Sequence, residues 1–119
     1  MTTEEVLTMP IIEQSKVSVS KGKGKMFITH LLTPKEMVGK CEMFASVRIP
    51  AGASLDVHRH VGNNETYYIL QGKALYTDNG KTYEVKAGDT TFCADGDTHG
   101  IETLGDEDLI FIALIISTK

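Results

Sequence analysis

The sequence predicts an all-β domain, a sandwich or barrel built from many short strands. Three features predict it: apolar and polar residues alternate with a period of two, glycine or proline breaks the chain every few residues, and helix signals are almost missing. The 119 residues fit one domain over 1–119, since domains most often run about 100–150 residues. Residues 1–15 lack clear periodicity, so this N-terminal arm either frays or docks, extended or swapped, as an extra strand.

Met26 to Leu32 is rich in β-branched and aromatic residues and reads as the first clear strand. Thr33-Pro34 then offers a capping residue followed by proline, but Gly39 comes so soon that at most one helical turn fits. Cys41, Met43, Ala45, Val47 and Ile49 alternate with Glu42, Phe44, Ser46 and Arg48, the pattern of a strand with one buried face, and Pro50-Ala51-Gly52 ends it. Thr66 to Tyr76 reads as two strands bent at Gln71-Gly72. Asp78-Asn79-Gly80 is a hairpin signal, because a primed turn needs residues that tolerate positive φ. Lys81 to Val85 returns, and turns follow at Ala87-Gly88-Asp89 and Asp95-Gly96-Asp97. The last strand, Leu109 to Ile116, is apolar on both faces. One face fills the barrel; the other needs a second sheet or another subunit, which predicts a homodimer.

Charge and composition exclude several partners. Twelve Lys and Arg against sixteen Asp and Glu leave a net charge of −4, which argues against nucleic acid, whose phosphates want a basic stripe. Lys21-Gly22-Lys23-Gly24-Lys25 is a local exception, but it lacks the phosphate-loop pattern and reads as a solvated turn. No apolar run approaches the roughly 18 residues that suggest a membrane span. The start MTTEEVLTMP carries two glutamates and no basic residue, unlike a secretory signal. Cys41 and Cys93 show no pairing pattern, so reduced thiols in a cytoplasmic protein are expected.

Four residues suggest chemistry. His58 and His60 are two apart, so on a strand both rings leave one face. Val61-Gly62-Asn63-Asn64 reads as a turn that carries Glu65 back toward them, and His99 follows another turn far downstream. Three of the four histidines thus fall in one arrangement. Neutral imidazole suits zinc, iron, nickel and copper, and a carboxylate widens the choice to manganese. On the residues alone, one divalent transition metal as cofactor competes with structural histidines, and the glycine framework around the pair decides for the metal. Such a ligand set leaves positions on an octahedral ion open to water, dioxygen or a bidentate acid.

The glycines around these residues carry a resemblance. Gly52-x5-His58-x-His60-x4-Glu65-x6-Gly72 resembles the first motif of the cupin family at every fixed position, and after a 15-residue gap Gly88-x7-Gly96-x2-His99 is similar to the second. Ala94 and Thr103 stand where the second motif usually has proline and asparagine, neither of them a metal ligand. The resemblance covers about residues 40–116 and implies a double-stranded β-helix, or jelly-roll barrel. It also implies His58, His60, Glu65 and His99 as ligands to the ion near one mouth.

Alternation from Glu65 puts Tyr67 and Ile69 on its face, and alternation from His99 adds Ile101 and Thr103. Tyr67 is the candidate catalytic residue, through a hydrogen bond to a substrate oxygen, with barrel filling as its other role. Met26, Met43, Phe44, Phe92 and Phe111 are expected in the core, Arg48 outward, His30 away from the metal, and Cys93 as a buried thiol. The expected partner is a small oxygenated or acidic molecule. Two functions fit: a metal-dependent enzyme (dioxygenase, isomerase or decarboxylase), and a binding or sensing module without turnover.

Overall fold

The computed structural model describes residues 11–119. Ten strands follow in chain order: β1 (Ser15–Val19), β2 (Met26–His30), β3 (Cys41–Ile49), β4 (Ser54–Arg59), β5 (Asn63–Gln71), β6 (Lys73–Asp78), β7 (Lys81–Lys86), β8 (Thr90–Cys93), β9 (Thr98–Leu104) and β10 (Leu109–Ser117). A single helical turn, α1 (Pro34–Met37), interrupts them. Glu36 folds its carboxylate back onto the Thr33 amide at 2.8 Å, and Val38 and Gly39, both at positive φ, end the turn.

Every strand pairing is antiparallel. Two sheets result, one of order β1-β2-β3-β10-β5-β8 and one of order β4-β9-β6-β7, packed as a jelly roll. Their inner faces form the core: Met26 and Ile28, Ala45, Val47 and Ile49, Tyr67 and Ile69, Leu109, Phe111 and Ala113 from the larger sheet, with Ala74, Tyr76, Val85 and Ile101 opposite. Each set steps by two along its strand, so the alternation in the sequence is the alternation of burial. Residues 1–10 of the anticipated arm lie outside the described residues; β1 begins at Ser15 and pairs with β2.

The chain passes from one sheet to the other at Gly72. Its φ is +84°, and a Cβ there would lie 2.8 Å from the Asp108 carbonyl oxygen, so only glycine makes this corner without strain. The lysine-rich segment behaves differently from the solvated turn expected of it. Its lysine side chains are exposed, yet its backbone docks along β4: the Asp56 amide donates to the Lys21 carbonyl (2.8 Å) and the Ser54 amide to that of Lys23 (2.9 Å). Gly22 is needed for this approach, because a Cβ would meet the Ser54 carbonyl oxygen at 2.4 Å.

Two core assignments are corrected. Phe92 is 57% exposed between buried Thr91 and Cys93, and Phe44 is half-buried on the outer face of β3. Strand parity decides both positions: their neighbours own the inward places, and hydrophobicity does not override a period of two. Arg48 faces outward as expected, 3.2 Å from Asp108 and 4.2 Å above the Phe27 ring.

Candidate metal centre and its chamber

His58 and His60 come from β4 and the residue after its end, Glu65 from β5, and His99 from β9. A bulge aims the first of these. Leu55 pairs with Ile101 and His58 with His99, so β4 spends three steps where β9 spends two. Leu55 and His58 therefore both turn toward the interior, which a regular strand would forbid. The turn between His60 and Glu65 is tighter than the sequence suggested, since Asn63 already belongs to β5. It is clamped from the β8–β9 turn. Gly96 donates to the His60 carbonyl (2.7 Å), the His60 amide to the Asp97 carbonyl (3.0 Å), and the Gly62 amide to Asp95 Oδ1 (2.8 Å). Thr118 bonds the other oxygen of Asp95 at 2.7 Å. These bonds hold the Asp95 carboxyl below the usual range, the Thr118 hydroxyl contributing most.

The four side chains converge. One donor atom from each lies within 4.8 Å of the other three. Glu65 Oε1 is 3.0 Å from Nε2 of both His60 and His99, and those two nitrogens are 3.0 Å apart. Each ring is fixed from behind through Nδ1. His58 Nδ1 lies 2.9 Å from the Asp56 carbonyl, His60 Nδ1 2.6 Å from Asn63 Oδ1, and His99 Nδ1 2.8 Å from the Tyr76 hydroxyl. The carbonyl and amide oxygens only accept, so Nδ1 of His58 and His60 carries the proton, and Nε2 of the neutral ring presents its lone pair to the common centre. Asn63 keeps its orientation because its amide nitrogen donates to Glu42 at 3.0 Å. Burial, the largest influence on His58, pushes its imidazolium pKa down and favours the neutral, ligating ring.

This donor set fits a metal ion. Lone pairs from three imidazoles and one carboxylate repel one another when crowded into a buried spot; a divalent cation reverses the sign of every contact. His60, Glu65 and His99 are 7%, 5% and 0% exposed, so that repulsion is poorly screened by bulk solvent. Among the described residues these four form the cluster able to hold an ion.

Tyr67 packs behind the cluster. It is 1% exposed, stacks on the His99 ring at 4.9 Å, packs at a tilt against Phe111 at 4.3 Å, and brings its hydroxyl within 3.4 Å of His99 Nε2. Burial raises its pKa well above that of an ordinary phenol, so it meets the site as a neutral hydroxyl. Ile69, Ile101 and Thr103 are buried on the faces that alternation assigned them. Cys93 is fully buried opposite Glu65 in the β5–β8 register, and burial pushes its thiol up to about 11. It is therefore a thiol, not a thiolate, near neutral pH. His30, on β2, is not part of the cluster.

Two supports escaped the sequence reading. Tyr76 sits two residues after Ala74 on an inward face, a periodicity that was legible; its pairing with His99 depended on β6 lying beside β9. The sequence marks Asn63 as a turn residue, and only its side-chain geometry assigns it to His60.

His58, His60 and Glu65 open onto a chamber of about 380 Å3. Its walls are Met26, Ile28, Met43, Val47, Leu55 and Ile115, and Lys21 and Asp56 also line it.

A jelly roll whose inner face gathers three histidines and a glutamate at one mouth defines a metal-binding type of cupin site. The chain belongs to the cupin family: the cupin domain model matches residues 45–115. It is similar to an oxalate-binding protein from Thermotoga maritima, 44% identical over 80% of this chain and 78% of that protein. It is also 30% identical to oxalate decarboxylase from Bacillus subtilis, over 90% of this chain but 28% of that longer protein. A crystal structure described as a predicted oxalate decarboxylase from Thermotoga maritima superposes with a TM-score of 0.84 at 41% identity, covering 88% of this chain and 94% of that one.

Proposed function

We propose that this cupin holds one divalent transition metal on His58, His60, Glu65 and His99, and uses it to bind a small carboxylic acid. The observation that carries the reading is the commitment of each histidine's Nδ1 to an outer partner, which leaves three Nε2 atoms and Glu65 Oε1 aimed at one point. Manganese, iron, nickel, zinc and copper all suit these ligands. A metal with open positions supplies a Lewis acid that carboxylate oxygens can reach from the chamber. The similarity to an oxalate-binding protein supports an acid as the ligand. Isothermal titration of oxalate into metal-loaded and metal-stripped protein tests this. Binding is expected only with metal present; equal binding in both states would refute it.

Turnover is a second reading, favoured by the Tyr67 hydroxyl beside the cluster. As a neutral group it donates a hydrogen bond to a ligand oxygen rather than acting as a base, which suits the decarboxylation or isomerisation of a bound acid. Carbon dioxide release and oxygen uptake by wild-type and Tyr67→Phe protein decide between binding and catalysis. Two free thiols, Cys41 and Cys93, support a reducing, cytoplasmic setting. The apolar outer face of β10 supports a homodimer.

A further inference from the structure

We infer that the chamber selects a chelating monocarboxylic acid, a 2-oxo or 2-hydroxy acid, that carries an apolar tail of several carbons. The inference rests on the metal-dependent binding of acids proposed above and adds which acid. Three observations carry it.

The first is size. About 380 Å3 lies within the range of roughly 300–1,000 Å3 typical of pockets for small organic molecules. A two-carbon diacid is small against that volume.

The second is the chemistry of those walls. Met26, Ile28, Met43, Val47, Leu55 and Ile115 come from β2, β3, β4 and β10 and surround the space above the cluster with carbon. Desolvating such walls against a hydrocarbon tail stabilises a complex, and against a second carboxylate it costs.

The third is charge. A divalent ion with the Glu65 carboxylate carries a net single positive charge. A monoanion neutralises it, and a dianion leaves an excess negative charge in an apolar space. Among the described residues, no cation free of an opposite charge lines the chamber to meet that excess. Lys21 is exposed and shares the lining with Asp56 of opposite sign. Arg48 is held outside by Asp108 and Phe27, and Arg59 by the Gly96 carbonyl.

The test is calorimetric and needs no turnover. The full chain is loaded with Ni2+ and titrated with pyruvate, 2-oxobutanoate, 2-oxopentanoate and 2-oxohexanoate, then with oxalate and 2-oxopentanedioate. Affinity is expected to rise about three- to fourfold per added methylene. The acid with a terminal carboxylate should bind more weakly than 2-oxopentanoate. Met43→Gln and Leu55→Gln, each checked for folding by thermal melting, should flatten the series; if either fails to fold, the wild-type series still decides. Oxalate binding together with a flat or falling series overturns this inference alone. An absence of binding by every acid, oxalate included, overturns it along with the reading beneath it.

Discussion

Tyr76 illustrates how a side chain outside the candidate cluster bears on the chemistry of one within it. Its hydroxyl lies 2.8 Å from His99 Nδ1 and is placed to accept that nitrogen's proton whenever Nε2 is given to an ion. Burial pushes the Tyr76 phenol up to about 12, so it is a neutral hydroxyl near neutral pH. Such outer partners typically matter about 10- to 100-fold in metal affinity. Tyr76→Phe should therefore weaken metal binding by about that factor without unfolding the chain, as read by competition with a chelator of known affinity. His99→Ala should abolish stoichiometric metal altogether; retention of one ion per chain in that variant would contradict its assignment as a ligand. Cys93 gives a pH test. Its folded-state pKa of about 11 exceeds the ordinary value of 9.0, so between these values the folded chain binds more protons than the unfolded one. Stability contributed by the protonated thiol is then complete below pH 9 and lost as pH rises toward 11. Thermal melts across that window should show a steeper alkaline loss in the wild type than in Cys93→Ala. Much of this scale was legible in advance: the spacing of His58, His60 and Glu65 and the placing of Tyr67 follow from period and motif. The partners Tyr76 and Asn63 were not, because a hydrogen bond between distant strands has no local signature.

The elements explain how distant residues reach one point. β4 supplies His58 through a bulge, β5 returns Glu65 after a clamped turn, and β9 lies between β4 and β6 so that His99 faces both Glu65 and Tyr76. Gly72 is where this arrangement is most sensitive. Alanine there must adopt φ near +84° and press against the Asp108 carbonyl, a change expected to cost at least about 1–3 kcal/mol. Urea denaturation of Gly72→Ala checks it, and an unchanged midpoint would show that the corner is more yielding than its geometry indicates. Strand boundaries near Gly, Pro and Asn-Gly signals were readable from the sequence. The bulge in β4 was not, because an extra residue in a strand looks like any other residue until the partner strand is known. Docking of the Lys21–Lys25 segment on β4 escaped for the same reason: charged, glycine-spaced sequence describes its side chains, while its backbone bonds depend on a neighbour elsewhere in the chain.

At the scale of the molecule, one sheet face remains apolar on the outside. β10 lies between β3 and β5, and its outward residues Ile110, Ile112 and Leu114 are half-buried beside Phe44, with Tyr68, Leu70 and Phe92 exposed at 45%, 48% and 57%. A contiguous apolar face on a soluble domain commonly marks an interface. A second copy meeting it around a twofold axis would be self-complementary. Ile112→Lys should convert a dimer into a monomer in sedimentation velocity; a wild type that sediments as a monomer would refute the dimer. The two-sided apolarity of the last strand is visible in the sequence, whereas Phe44 and Phe92, which extend the patch, are expected from the sequence in the core. The protein as a whole is a two-sheet jelly roll whose inner face gathers His58, His60, Glu65 and His99 into a cluster able to hold a metal ion. X-ray absorption at the metal edge, on protein loaded with one equivalent of ion, tests that claim most directly. One ion per chain with three imidazole nitrogens and one carboxylate oxygen from His58, His60, His99 and Glu65 is the expected result. A chain that takes up no ion, or an ion whose shell survives loss of these side chains, would contradict it.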